Sequence, residues 1–139
     1  MKKNHFFFLL TICTLLGMGT GYYWYQKPVP SLESKEADYI TNAKELIATY
    51  QQNESNANEL YLGKLMQIDG QVKELVTEGD QLSVILDGGE IDGDIVCELE
   101  PKVYTPSDLP KKGQAMTMKG ECAGMLFDVV VLVRCVIIA

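Results

Sequence analysis

Residues 114–138 read QAMTMKGECAGMLFDVVVLVRCVII, and this stretch decides the fold. Apolar and polar side chains alternate from 114 to 122, whereas nearly every residue from 128 to 138 is apolar. Alternation is typical of a strand with one buried face, and a short apolar run is typical of a strand buried on both. We therefore predict two strands, residues 114–122 and 128–138, joined by residues 123–127.

Three earlier segments have the strand pattern, at residues 65–75, 81–87 and 94–99, and turn residues separate them. Residues 101–113 lack that pattern and hold one predicted helical turn at 106–110. Five strands with a longer connection between the third and the fourth match the order of elements in an OB-fold, a small Greek-key barrel. The sequence thus predicts a mainly β domain at residues 63–139, folded as a five-stranded OB-type Greek-key barrel.

Helical periodicity precedes the strands. Apolar residues recur at spacings of three and four, at Ala37, Ile40, Ala43, Leu46, Ile47 and Tyr50. Such spacing indicates an amphipathic helix over 33–52, and a second short helix over 54–62 follows it. We predict one or two α-helices in this amphipathic region, residues 33–62, after a linker at residues 26–32 that contains Pro28 and Pro30.

The N-terminus carries a membrane signal. Residues 6–25 hold no Asp, Glu, Lys or Arg, and twenty helical residues span roughly the 30 Å core of a bilayer. Lys2 and Lys3 lie before this segment and four aromatic residues, 22–25, close it. Because basic residues favour the cytoplasmic side, residues 1–25 predict a transmembrane signal anchor with the C-terminal domain in the periplasm.

Two alternatives remain for this segment, and both also export the domain. A cleaved signal peptide would place its cut near the small residues Gly17, Gly19 and Gly21. A lipoprotein signal would use Cys13, although Ile12 stands where a small residue is expected. We rank the anchor first, the cleaved signal second and the lipoprotein third.

Charge bears on the ligand class. The chain has 12 basic and 19 acidic residues, and three of the basic ones precede Val29. The exported part therefore holds nine basic against nineteen acidic residues, a formal charge of −10. Because phosphate contacts by Lys and Arg dominate nucleic-acid affinity, this balance disfavours a nucleic-acid partner.

Cysteine and histidine usage limits the chemistry. Strand alternation turns Cys97, Cys122 and Cys135 inward, where an oxidising compartment would allow one disulfide. Cys97 with Cys135 is one candidate pair, Cys122 with Cys135 is its rival, and three buried thiols are the third alternative. His5, the only histidine, precedes the domain, so we expect no metal site, no cofactor and no Ser-His or Cys-His catalysis.

Six short stretches of the chain can be compared with known families by their residues, order and spacing. They are NELYLGK at 58–64, IDGQV at 68–72, IVCEL at 95–99, KGQ at 112–114, KGECAG at 119–124 and RCVII at 134–138. By these stretches the chain from Glu45 onward resembles the tRNA-anticodon-like OB family of small bacterial exported or lipoprotein-like domains. The resemblance implies an OB-fold. It implies little about activity, because fold alone does not define function.

Two groups of residues are candidates for binding. Tyr61, Tyr104, Met125, Leu126 and Phe127 are apolar residues at the predicted edges and loops, where they would contact a ligand or pack against the ends of the barrel. The acidic residues within 87–94 could ligate calcium, but a solvated hairpin connection explains them better.

We therefore expect a membrane-tethered, extracytoplasmic OB-fold binding module that is not an enzyme and that binds a protein or an oligosaccharide. Single-stranded nucleic-acid binding is the first alternative, and a structural role in an envelope complex is the second.

Overall fold

The computed structural model describes residues 2–26, 32–101 and 104–138. The chain forms two compact units, Met1–Pro30 and Ser31–Ala139. The first unit is helix α1, Lys2–Tyr25, in which Phe7–Tyr25 is long and apolar enough to cross a membrane. The hydroxyls of Thr11, Thr14 and Thr20 donate to carbonyls of the same helix, so these polar groups suit an apolar surrounding. Pro28 and Pro30 of the predicted linker lie outside the described residues.

The second unit starts with a short 3₁₀ turn, Leu32–Ser34, and strand β1, Tyr39–Asn42, followed by helices α2, Ala43–Gln52, and α3, Glu54–Tyr61. The expectation of a helix from residue 33 is thus wrong for its first ten residues. Asn42 sets the start of α2, because its side chain accepts a hydrogen bond of 2.9 Å from the Glu45 N–H. The residues before this cap pair with the sheet instead.

Five further strands follow: β2 Leu65–Glu78, β3 Gln81–Asp87, β4 Asp94–Leu99, β5 Ala115–Leu126 and β6 Val129–Ile137. The predicted bounds of β3 and β4 are confirmed. Strands β2 and β5 run further than predicted, so the β2–β3 turn is only Gly79-Asp80 and the β5–β6 turn only Phe127-Asp128. Residues 106–108 form a turn, within the predicted helical turn at 106–110.

The six strands form one mainly β sheet in the order β1-β2-β3-β4-β6-β5, and β2 also pairs with β5. Strand β2 pairs with three other strands. Its first half, Leu65–Gln71, pairs with β5, and its second half, Val72–Glu78, pairs with β3. Met66–Asp69 also pairs in parallel with β1. The sheet therefore has six strands, one more than the sequence predicted, because β1 joins it through β2.

The core lies between the inward faces of the strands and the buried face of α2. Fully buried strand residues are Met66, Ile68, Val84, Leu86, Ile95, Met118, Val130 and Leu132. From α2 come Leu46, Ile47 and Tyr50. The inward placement of Cys97, Cys122 and Cys135 is confirmed, since all three are buried. Period-two alternation thus leaves the intervening side chains of β3, β4 and β6 on the outer face.

Candidate binding surface

The outer face carries an aliphatic row that crosses three strands. Ile85 of β3 pairs with Val96 of β4, and Val96 pairs with Val131 of β6. Paired residues on neighbouring strands point to the same face, so these three half-buried side chains form one continuous strip. On β5, Gly124 pairs with Val131, and a β-carbon at Gly124 would lie 3.4 Å from Leu62 Cδ1. Leu62 therefore continues the strip beyond the last strand.

A second row lies parallel to the first, two residues along each strand. Asp87 pairs with Asp94, Asp94 with Val129, and Val129 with Leu126. Side chains two residues apart share a face, so both rows belong to the same surface. This row changes from carboxylates on β3 and β4 to apolar side chains on β6 and β5. At a strand spacing of about 4.8 Å, its two ends lie about 14 Å apart.

The acidic end of the second row opens into a cavity of about 390 Å³, here called the acidic pocket. Its ionisable lining residues are Lys73, Asp87, Glu90, Asp92, Asp94 and Asp128. The Lys73 Nζ lies 2.8 Å from Asp94 Oδ2, and this contact raises the pKa of Lys73. Within the described residues no three His, Cys, Asp or Glu side chains lie close enough together to hold a metal ion.

Helix α2 positions the loop that frames this pocket. The Gln51 side-chain amide donates to the Asp92 carbonyl. Ile47 packs so closely on Gly88 that a β-carbon there would come within 2.8 Å of Ile47 Cδ1 and would also meet the Gly93 carbonyl. Gly93 has φ +140°, a conformation that side chains rarely adopt. Gly88 and Gly93 therefore have a packing role beside their role in the turn.

The apolar end of the second row is a set of exposed side chains, here called the apolar patch: Leu62, Leu126 and Phe127. Their exposed fractions are 52%, 64% and 90%. Phe127 occupies the left-handed region, with φ 55°. An aromatic residue at positive φ is uncommon and costs about 1–3 kcal/mol, so this tight turn holds the ring out at a conformational cost. Asp128, the next residue, already lines the acidic pocket.

The predicted contact residues do not form one site. Tyr61 turns inward and stacks edge-on against Tyr39, with 5.0 Å between ring centroids. Tyr104 packs against the core and borders a separate cavity of about 300 Å³ beside Asp80 and Glu100; burial and Glu100 raise its pKa. Met125 also packs against the core. Only Leu126 and Phe127 lie on the exposed surface.

The buried thiols have distinct partners. Burial, and then the neighbouring Cys97 thiol, raise the pKa of Cys135 well above its usual value. Cys122 Sγ lies instead 3.2 Å from the Tyr50 hydroxyl. All three cysteines are free thiols here. The contacts favour Cys97 with Cys135 over Cys122 with Cys135 as a pair, and the disulfide itself stays a prediction.

The three basic residues of the strands, one each in β2, β5 and β6, have contacts within the domain. Lys119 Nζ donates to the carbonyls of Glu33 and Lys35, at 3.2 and 2.7 Å. Arg134 lies 3.1 Å from Glu121 and 3.8 Å from Glu100. Lys73 is likewise paired with Asp94, so all three basic side chains contact acceptors of the domain itself. Neither β3 nor β4 contains an aromatic or a basic residue.

Sequence reasoning missed the aliphatic row and two members of the acidic pocket. The row could have been found, because the alternation that turns Ile95, Cys97 and Leu99 inward leaves Val96 facing outward. Lys73 and Asp128 had no such signal. They reach the pocket only through the pairing of β2 with β3 and of β4 with β6.

The domain is a mainly β sheet of six strands, with short helices before β2 and with an acidic and aliphatic outer face. The tRNA_anti-like family profile matches residues 1–137, and the chain belongs to this family.

A solved structure shows the same fold at low identity. The chain is similar to a lipoprotein from Klebsiella pneumoniae subsp. pneumoniae to which nucleic-acid binding has been ascribed, with a TM-score of 0.55 and 14% identity, over 82% of this chain and 100% of that one. It is also similar to the telomere capping protein Ten1 from Saccharomyces pombe, with a TM-score of 0.39 and 16% identity, over 73% of this chain and 81% of that one. No functionally curated protein sequence matches the chain significantly.

Proposed function

We propose that the chain is a membrane-tethered, extracytoplasmic OB-type binding module, not an enzyme, and that its ligand is a protein. The OB-type assignment is supported by the strand pairings, since β2, β3, β4, β6 and β5 form a closed circuit of neighbours. The tether is supported by α1, which is long and apolar enough to cross a membrane. The extracytoplasmic side is supported by Lys2 and Lys3, which lie before the apolar segment.

The aliphatic row Ile85-Val96-Val131 carries the proposal of a protein ligand. OB domains bind ligands on the face of their second and third strands, here β3 and β4. An aliphatic strip gains free energy by leaving water, about 25 cal/mol per Å² of apolar surface, when an apolar partner surface covers it. A protein offers such a surface, whereas an oligosaccharide offers mainly hydroxyl groups. The ligand class is therefore better matched by a protein than by an oligosaccharide.

Single-stranded nucleic acid is the second candidate, because the family and the Klebsiella lipoprotein suggest it. OB domains that bind single strands stack bases on aromatic rings above a basic groove. On β3 and β4 this face has neither kind of residue, and Asp87, Asp94 and Glu98 add negative charge to it. We therefore rank it below a protein.

Site-specific photocrosslinking in intact cells tests the proposal. A benzophenone side chain is placed at Ile85 or Val96 on the row, and at Glu78, the last residue of β2, as a matched control. A discrete protein adduct from the row positions and none from Glu78 is expected. Adducts of equal yield from all three positions, or none from any, would contradict a ligand on this face.

An electrophoretic mobility-shift experiment with an oligonucleotide tests the second candidate, single-stranded nucleic-acid binding. The full chain in nanodiscs of neutral phosphatidylcholine is mixed with a labelled single-stranded oligonucleotide at low salt, where electrostatic binding is strongest. We expect no shift. A shift that disappears as salt rises would overturn the ranking. An envelope-assembly role would appear in the crosslinking experiment as one recurrent envelope-protein adduct.

A further inference from the structure

The apolar patch and the acidic pocket lie side by side on the proposed binding face. The second row connects them in register, from Asp87 and Asp94 through Val129 to Leu126. The β5–β6 turn joins them again, because Phe127 belongs to the patch and Asp128 to the pocket. The two features therefore form one surface, which is continuous with the aliphatic row through Val131 and Leu62.

The charge of the acidic pocket indicates which kind of ligand can bind there. The pocket holds five carboxylates and one ammonium, a formal charge of −4, and that ammonium is bound to Asp94. Asp87, Glu90, Asp92 and Asp128 are exposed to solvent. A cleft lined by one sign of charge raises the local concentration of ligands of the opposite sign. An occupant with Lys or Arg side chains fits here, and one with phosphate or carboxylate groups is repelled.

The apolar patch adds a second requirement. Phe127, 90% exposed, and Leu126, 64% exposed, are the kind of side chains that become anchors when a partner covers them. A bilayer would also accept them, but the carboxylates beside the patch would meet the head groups, and anionic lipids would repel them. A protein segment satisfies both requirements without this conflict.

We infer that this surface docks an extended protein segment that carries Lys or Arg side chains on one side and apolar side chains on the other. The basic side chains enter the acidic pocket, and the apolar ones cover Leu126 and Phe127. The span of about 14 Å between Asp87 and Leu126 corresponds to about four residues of extended chain. This inference rests on the proposed function, because it names where and by what chemistry a protein ligand is held.

A defined peptide tests the inference on the full chain in nanodiscs of neutral phosphatidylcholine. The probe is a fluorescein-labelled peptide with two arginines, a short serine spacer, then leucine and phenylalanine. Fluorescence anisotropy compares it with a peptide that has glutamates for the arginines and with one that has serines for the apolar pair. We expect only the first peptide to bind.

Variants separate specific docking from general charge attraction. Phe127→Asn keeps a residue that tolerates positive φ, and we expect it to weaken binding about tenfold. Glu90→Gln with Asp92→Asn should weaken it at least as much. Glu78→Gln with Asp80→Asn changes the net charge equally at the other end of β3, and should leave binding unchanged. Circular dichroism confirms that each variant is folded.

Three outcomes would overturn the inference: no binding of the arginine peptide, equal loss in both charge variants, or retained binding by Phe127→Asn. Flotation with vesicles that contain anionic phosphatidylglycerol, if it depends on Phe127, would instead assign the patch to a membrane. If crosslinks from Ile85 and Val96 persist while the peptide fails, only this inference falls. If those crosslinks are also absent, the proposed function falls with it.

Discussion

The Sγ of Cys135 lies directly against Gly120, in the space that a β-carbon at position 120 would take. The Val133 carbonyl and Leu132 Cβ close the same space at 3.2 and 3.3 Å. Strands β5 and β6 pair irregularly at this point, with a register shift between Lys119 and Glu121. The absence of a side chain at 120 therefore lets a buried thiol occupy the interface of the two strands.

Gly120→Ala should lower the free energy of unfolding by about 1–3 kcal/mol, because an extra methyl group would displace the Cys135 thiol or the β6 backbone. Chemical unfolding of the full chain in detergent, followed by circular dichroism, measures the change. The double variant Gly120→Ala with Cys135→Ala should lose less than the sum of the two single losses. Strict additivity would mean that the thiol is not the obstacle.

The buried hydroxyl of Tyr50 should make the domain sensitive to alkali. Burial, and then the contact with Cys122, raise the pKa of Tyr50 above its value in the unfolded chain, which is about 10. The folded state then holds its proton more tightly, so the stability that Tyr50 contributes is fully present below about pH 10 and is lost as the pH rises further. Cys135 adds a loss of the same sign that starts at a lower pH.

Tyr50→Phe should therefore flatten the decline of unfolding free energy above pH 10, although it removes a hydrogen bond worth about 1 kcal/mol at neutral pH. Chemical unfolding at a series of pH values measures the slope. Tyr39→Phe, whose ring is partly exposed, is the control and should leave the slope unchanged. The explanation fails if Tyr50→Phe has the slope of the unaltered chain.

Refolding in a glutathione redox buffer should join Cys97 to Cys135, because these two buried thiols are neighbours in the core. Two thiols lose two protons and two electrons, and glutathione disulfide is reduced to two glutathione molecules. Mass spectrometry should show a loss of about 2 Da, and unfolding should require roughly 2–4 kcal/mol more. Cys122→Ala should still form the bridge and Cys135→Ala should not. A bridge that contains Cys122 would refute this pairing.

Asn42→Ala should destabilise the domain by about 1 kcal/mol, because the Glu45 N–H would lose its acceptor at the start of α2. Hydrogen exchange should increase first in residues 43–46. Asn56→Ala, in which an exposed side chain of α3 is removed, is the matched control and should change little. Equal losses in the two variants would show that the cap contributes nothing specific.

The sequence located β3 and β4 to the residue because their alternation is regular, turns that contain glycine precede and separate them, and Pro101 follows β4. It missed β1 because Ile40 and Ala43 continue the helical spacing of Leu46, Ile47 and Tyr50. The information was nevertheless present: Asn42 with Glu45 three residues later is a helix-start signal, and Ile40-Thr41 is a β-branched pair. The helical spacing that starts at Ala37 concealed the strand signal of residues 39–42.

The binding surface was less accessible to sequence reasoning. Leu126 and Phe127 were recognised as an apolar tip, but a tight turn with phenylalanine at positive φ is contrary to turn preferences, so β5 was predicted to end too early. The acidic stretch at 87–94 was recognised, yet its neighbours Lys73 and Asp128 come from other strands. Long-range pairing brings them together, and local patterns do not encode it.

Strand β1 has a consequence for encounters between copies of the chain. It is the one described strand with a single strand neighbour, so its outer side is where backbone groups could recruit a foreign chain. This side is four residues long and passes straight into α2. An approaching chain would gain only a few hydrogen bonds before meeting a helix. The shortness of β1 thus limits edge-to-edge strand pairing between copies of the chain, which is the step that leads to fibrils.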